Sequence, residues 1–80
     1  MEHKTVKIEL TESNARYVLL ALRELNQKLQ ALARDEDIDE DERFLHANDL
    51  MESSRAYDKI EKESVAEFGA KVLEHGHELL

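Results

Sequence analysis

The C-terminal tail holds the densest group of side chains that could bind a metal ion. His75 and His77 are flanked there by Glu74 and Glu78. Imidazole and carboxylate groups bind zinc or nickel, but a site needs three or four ligands held rigidly. On a helix His75 and Glu78 would share one face, whereas His77 would point elsewhere. Because a glycine interrupts the cluster, we expect a frayed tail over residues 75–80 and no metal site.

Seven carboxylates fill residues 35–42, and their spacing invites comparison with a calcium-binding loop. An EF-hand loop needs glycine at its sixth position and a bidentate glutamate at its twelfth. A loop that began at Asp35 would have Glu40 and His46 there, and a loop that began at Asp37 fails at both positions too. We therefore expect a solvated acidic turn and not a calcium site.

Side chains for nucleophilic catalysis are present but are not arranged for it. The serines fall on predicted helices, and none has a neighbouring pair of histidine and acidic residue in the sequence. The glycines stand far apart, so the sequence contains no glycine-rich phosphate loop. We assign no catalytic, cofactor-binding or metal-binding residue, and we predict that the chain is not an enzyme.

Length and charge narrow the function classes further. The chain has 80 residues, no cysteine and a formal net charge of −8 at pH 7. This charge disfavours binding to nucleic acid phosphates or to an anionic membrane surface. The first residues lack the apolar core of a secretory signal, and no apolar run approaches the roughly 20 residues that span a bilayer. We expect a cytoplasmic protein that binds neither membranes nor, directly, nucleic acids.

The element that organises the chain is a helix predicted over residues 11–34, with Thr11 as its N-cap. Its apolar residues follow one another at alternating spacings of three and four, which is the a/d seam by which one helix packs on another. Leu25 lies in the middle of this seam and is therefore predicted to be a core residue. The seam consists of Ala15, Val18, Leu22, Leu25, Leu29 and Leu32, and it is adjoined by Leu19 and Ala33.

Two further apolar residues of this helix, Tyr17 and Leu20, fall nearly opposite the seam. Arg16 and Arg23 lie beside them, and an apolar spot rimmed by polar residues is typical of a small contact surface. We therefore predict an interaction patch at these four residues. The alternative is that the N-terminal segment folds back and buries Tyr17 and Leu20.

Residues 4–10 alternate between apolar and polar side chains, with Val6, Ile8 and Leu10 on one side. A period of two with β-branched residues predicts a short strand. The sequence contains no second strand, so the same segment of a second copy is the candidate partner. The alternative is an extended arm whose apolar residues lie across the helices.

The second helix is predicted over residues 40–74, after the acidic turn at residues 35–41 and with Asp39 or Asp41 as its N-cap. Polar residues interrupt the middle of its apolar stripe, which leaves two solutions. One is a single long helix, and the other is a break near residues 58–63 that gives three helices. No breaker residue lies in that window, so we expect the long helix. The stripe consists of Phe44, Ala47, Met51, Val65, Phe68 and Val72.

Together these elements predict a single, mainly α domain over residues 1–80. It is an antiparallel helical hairpin with a short N-terminal extended or β segment. A chain of this size buries only a modest share of its surface when it folds alone. We therefore expect two hairpins to pair as a homodimeric four-helix bundle, which buries the seam economically.

Three functions are compatible with this architecture. The first is a non-enzymatic protein–protein interaction module, an adaptor or regulator that acts through its helical surface. The second is an acidic, antitoxin-like inhibitor that covers a basic, nucleic-acid-binding partner. The third is a transcriptional regulator of ribbon-helix-helix type, but the first helix is about twice as long as in that fold and the chain is strongly acidic.

Overall fold

The computed structural model describes residues 4–74 and shows a helical hairpin. Helix α1 spans Glu12–Arg34 and helix α2 spans Glu40–Phe68, and a short 3₁₀ helix follows at Ala70–Leu73. The two long helices pack against each other along the hairpin, and the 3₁₀ helix packs against both. The predicted pair of packed helices is thereby confirmed. Residues 4–10 have no regular secondary structure, and no strand forms among the residues that the structure describes.

Local capping explains where the helices begin. Thr11 is the N-cap of α1, and its Oγ1 accepts a hydrogen bond from the backbone N–H of Asn14 at 3.1 Å. Asp39 is the N-cap of α2, and its Oδ2 accepts from the N–H of Asp41 at 3.1 Å. In the acidic turn between the helices, Asp35 Oδ1 accepts from the N–H of Asp37 at 2.9 Å. Two aspartates of the turn thus satisfy backbone donors, as Asx turns and N-caps do.

Helix α2 is continuous, so the alternative break near residues 58–63 does not occur. The helix ends at Phe68, however, and the predicted extension to residue 74 is wrong. Gly69 has φ 85° and ψ 172°, a conformation that only glycine adopts readily. The chain turns there and continues as the 3₁₀ helix, which folds back against α1. A single glycine is tolerated within a helix at a modest cost, so the sequence alone did not mark this position as the end.

The apolar core lies at the end of the hairpin where α1 begins and α2 ends. Ala15, Leu19 and Val72 are fully buried there. Half-buried apolar residues surround them, namely Leu10, Tyr57, Ile60, Val65, Phe68 and Leu73. Because Val72 comes from the 3₁₀ helix, the bend at Gly69 is what closes the core.

The predicted seam of α1 is only partly the face that packs on α2. Ala15 and Leu29 are buried, and Val18, Leu22 and Leu32 are half-buried. Leu25 is 43% exposed within the single chain, so the prediction that it is a core residue of the hairpin is wrong. The face toward α2 instead runs through Leu19 and Asn26, whose side chain is hydrogen-bonded to Ser53 of α2. Spacings of three and four are kept along this face, but it is rotated by about one residue from the predicted seam.

Candidate interaction surface

The predicted patch on α1 is not a continuous exposed surface. Tyr17 is about half exposed, but Leu20 is only 9% exposed and is therefore unavailable to a partner. Arg16 is engaged elsewhere in the fold, because its Nη2 donates a hydrogen bond to the backbone carbonyl of Lys71 at 3.3 Å. Residues four apart share one side of a helix, so Leu20 lies on the side of α1 to which the 3₁₀ helix is held. The expected exposure of Leu20 is thus wrong.

Charged contacts also join the first turn of α1 to the 3₁₀ helix. Glu12, in the first turn of α1, lies 3.7 Å from Arg16 Nη2 and 3.3 Å from Lys71 Nζ, each distance measured from a carboxylate oxygen. A carboxylate at this position also interacts favourably with the helix dipole. Arg16 therefore has a structural role in joining α1 to the 3₁₀ helix, and it does not form the rim of an open patch.

The fourth patch residue, Arg23, lines a polar cleft of about 450 Å³ between the helices. Tyr57 also lines it, and burial raises the pKa of this phenol, helped by a hydrogen bond to Glu61 and by the charge of that carboxylate. The positive charge of Arg23 acts in the opposite direction. The other lining residues are uncharged; all except Leu50 have side chains that can hydrogen-bond, and none is a nucleophile paired with a base. They are Asn26, Gln27, Gln30, Leu50 and Ser54.

A second cleft, of about 470 Å³, separates the N-terminal arm, residues 4–10, from the helices. Its apolar lining includes Val6, Ile8 and Leu10 of the arm and Val18 of α1. Leu10 packs on the core, but Val6 is 79% exposed and Ile8 is 72% exposed. The three apolar residues of the arm therefore line one cleft, but two of them are still largely in water.

The exposed apolar surface on this side extends along both helices. We call it the arm face, and its members on the helices are Val18, Leu25 and Leu45. Leu25 follows Val18 by two helical turns and so points to the same side of α1. Leu45 precedes Glu63, which lines the cleft, by five full turns, so it points to the cleft side of α2. Leu25 and Leu45 are both exposed.

Another apolar stripe lies on a different side of α2. Phe44 is 67% exposed, Met51 is about half exposed, and Ala47 lies between them in the sequence. Spacings of three and four place these residues on one side of the helix. They were predicted to belong to the same packed stripe as Val72, but only the C-terminal part of that stripe is covered. Val72 does not continue the stripe, because α2 ends at the bend at Gly69 and Val72 belongs to the 3₁₀ helix that follows.

Residues 4–74 contain neither a metal-binding group of side chains nor a helix that could span a membrane. No group of three or more histidine, cysteine or acidic side chains is placed to hold a metal ion in this part of the chain. The tail at residues 75–80, which was expected to fray and to hold no metal ion, lies outside the described residues. None of the helices in this region is both long and apolar enough to cross a membrane.

The fold and its surfaces define a class: a two-helix hairpin, one helix layer thick, with large apolar side chains exposed on more than one side. Comparisons of the chain with known protein families, with characterised proteins and with solved structures found no match.

Proposed function

We propose that the chain is a non-enzymatic protein–protein interaction module, an adaptor or regulator, that works as a homodimer. The observation that carries this proposal is the exposure of large apolar side chains on a layer only 16 Å thick. Helices bury their apolar stripes by packing into at least two layers. Two hairpins packed face to face supply the second layer and form a four-helix bundle.

The accessible surface supports the same conclusion. It measures 6696 Å², whereas a compact monomer of 9.3 kDa has about 5,000 Å². The difference exceeds the roughly 800 Å² that each partner buries in a standard protein–protein interface. The chain is thus less compact than a typical monomer of its mass, which is compatible with the burial of further surface against a second copy.

The arm face is the surface that fits the dimer contact. Four of its residues are large, apolar and exposed, and they come from the arm and both helices: Val6, Ile8, Leu25 and Leu45. Burial of each such side chain contributes about 1.5–3 kcal/mol at full burial. The stripe of Phe44 and Met51 lies on another side of α2, and it offers a second contact for a helix of a partner protein, with anchors at helical spacing.

Sedimentation equilibrium at micromolar to tens of micromolar concentration tests the dimer. The wild-type chain is expected to have twice its monomer mass of 9.3 kDa. Leu25→Ser combined with Leu45→Ser is expected to give the monomer mass while the helical circular dichroism remains. Phe44→Ser combined with Met51→Ser is the matched control, because it removes equally exposed apolar groups from the other side and is expected to stay dimeric. A wild-type mass of 9.3 kDa at every concentration would contradict the proposal.

A specific observation also favours the acidic-inhibitor alternative. In the turn between the helices Glu36, Asp37 and Asp39 are exposed and follow one another closely, in a chain with net charge −8. Such a surface suits a basic, nucleic-acid-binding partner. The dependence of partner affinity on ionic strength distinguishes the two functions. Charge-driven capture of a partner weakens steeply as ionic strength rises, whereas apolar helix packing does not. Binding of DNA by the free protein would instead favour the ribbon-helix-helix type of regulator.

A further inference from the structure

The N-terminal arm has a solvent-exposed backbone and a self-complementary sequence. No backbone hydrogen bond joins residues 4–10 to another backbone group within the described part of the chain. A run of free N–H and C=O groups beside alternating side chains is a template for pairing with another strand. Leu10 fixes the end of the arm on the core, and Thr11 continues it with extended backbone angles into α1. The arm is therefore held at one end and open along its length.

We propose that the arms of two copies pair as an antiparallel, two-stranded ribbon centred on Ile8, which covers the cleft of the arm face. The occupant of that cleft is thus a second copy of this chain. The inference rests on the proposed homodimer and specifies how its two subunits meet.

Side-chain alternation restricts the possible registers. The apolar residues of the arm all have even numbers. In an antiparallel pair they lie on one face only when even-numbered residues face even-numbered residues of the other copy, because a one-residue slip moves every side chain to the other face. A ribbon centred on Ile8 meets this condition. It places Ile8 opposite Ile8 of the second copy and Val6 opposite Leu10 of the second copy. All the apolar residues of both arms then lie on one face, toward the helices.

Charge selects among the registers that remain. With the centre on Ile8, Lys7 of each arm lies opposite Glu9 of the second copy, which gives two attractive cross-strand pairs. With the centre on Lys7 or on Glu9, that residue would lie opposite its own copy, and like charges directly opposite are destabilising. With the centre on Val6, Ile8 would lie opposite Lys4 of the second copy, so an apolar side chain would face a charged one. The register centred on Ile8 is therefore the one that matches both hydrophobicity and charge.

Disulfide cross-linking measures the register directly, because the chain contains no cysteine of its own. Residues directly opposite in an antiparallel pair have Cα atoms about 4.5–5.5 Å apart, which is within the range of a disulfide. Ile8→Cys is expected to form an intersubunit disulfide in a glutathione buffer. Val6→Cys is the matched control, because in this register its two copies lie roughly 14 Å apart. We expect Ile8→Cys to be cross-linked at least tenfold more than Val6→Cys. Equal cross-linking of the two would overturn the register.

Charge reversal provides the second measurement. Lys7→Glu alone and Glu9→Lys alone each turn both cross-strand pairs repulsive, so each variant is expected to have a dimer dissociation constant about tenfold higher. Mixing the two variants restores two attractive pairs, and the mixture is expected to form a heterodimer. The double exchange Lys7→Glu with Glu9→Lys is expected to dimerise like the wild type. Because these residues are exposed and lie outside the helices, circular dichroism should show unchanged helix content in each variant.

The outcomes separate this inference from the proposed function. If the wild-type chain is dimeric but the mixture of Lys7→Glu and Glu9→Lys forms no excess of heterodimer, the ribbon is overturned and the homodimer is retained. A wild-type chain that is monomeric overturns both. A dimer that shows the heterodimer preference and the selective cross-link at position 8 supports both.

Discussion

The Ser53 hydroxyl of α2 donates a hydrogen bond to the side-chain carbonyl of Asn26 of α1, across the interface between the two helices. Ser53 Oγ also lies 3.2 Å from the carbonyl of Leu50, one turn earlier in α2. A polar pair among apolar contacts fixes the register of two helices, because sliding one helix would leave a partly buried polar group without its partner. Asn26 and Ser53 therefore set how the hairpin closes.

A double-mutant cycle on this pair tests its contribution. Ser53→Ala is expected to lower the free energy of unfolding by about 1 kcal/mol, and Asn26→Ala by a similar amount. The double variant is expected to be more stable than the sum of the single losses predicts, with a coupling energy of at least about 0.5 kcal/mol. Urea unfolding measures all four proteins. Additive effects would show that the two side chains do not interact in solution.

Leu19 and Leu25 provide a comparison of the same substitution in the core and on the arm face. Leu19→Ala removes a fully buried side chain and is expected to cost about 2–5 kcal/mol. Leu25→Ala is expected to cost less than about 1 kcal/mol at a dilution where the chain is monomeric, because its side chain is already 43% exposed. At a concentration where the dimer forms, the loss on Leu25→Ala should grow. Thermal melts at two concentrations measure both effects, and a large, concentration-independent loss at Leu25 would contradict this assignment.

The same two leucines show how far the sequence could predict the fold. The periodicity of α1 and the caps at Thr11 and Asp39 predict two helices and a turn, since both features are local. The sequence did not predict that the face of α1 toward α2 runs through Asn26 and not through Leu25. Asn26 is polar, and the apolar spacing favoured the seam that contains Leu25. The hydrogen bond with Ser53, a tertiary contact, stabilises the half-buried Asn26 on this face. Likewise, completion of the core around Leu19 depends on Val72, which lies in a segment that returns to α1 from beyond Gly69.

Gly69→Ala tests the bend that ends α2. No atom lies within 4 Å of a Cβ placed on Gly69, so the substitution meets no steric contact and its cost comes from the backbone angles alone. A residue with a side chain is strained in this region by about 1–3 kcal/mol. The variant is expected to melt at a lower temperature and to lose part of the packing of Val72. Val72→Ala is the comparison variant, and a Gly69→Ala protein as stable as wild type would contradict the strain argument.

The ionisation of Tyr57 gives a prediction on pH. Burial raises its pKa above the ordinary value of 10.0, and the hydrogen bond to Glu61 and its charge act in the same direction. The folded chain therefore holds this proton more tightly than the unfolded chain. The stability due to the neutral phenol is complete below pH 10 and is lost as the pH rises through the raised pKa.

The measurement uses Tyr17→Phe, in which Tyr57 is the one remaining tyrosine. Its phenolate absorbance is expected to appear at higher pH in the folded chain than in urea. In the same background, Glu61→Gln should reduce this difference, because the negative charge is removed. Identical titration curves for folded and unfolded protein would show that Tyr57 is not in the environment described here.

The position of the core has a consequence for the order in which the chain can fold. The hydrogen bond between Asn26 and Ser53 closes a loop of 27 residues, whereas the contact of Arg16 with Lys71 spans 55. During synthesis on the ribosome, α1 is therefore complete long before the chain contains Val72, the residue that completes the core. Residues of α2 can cover Leu19 in part, but the core is complete only after Val72 has been synthesised and the chain has bent back at Gly69.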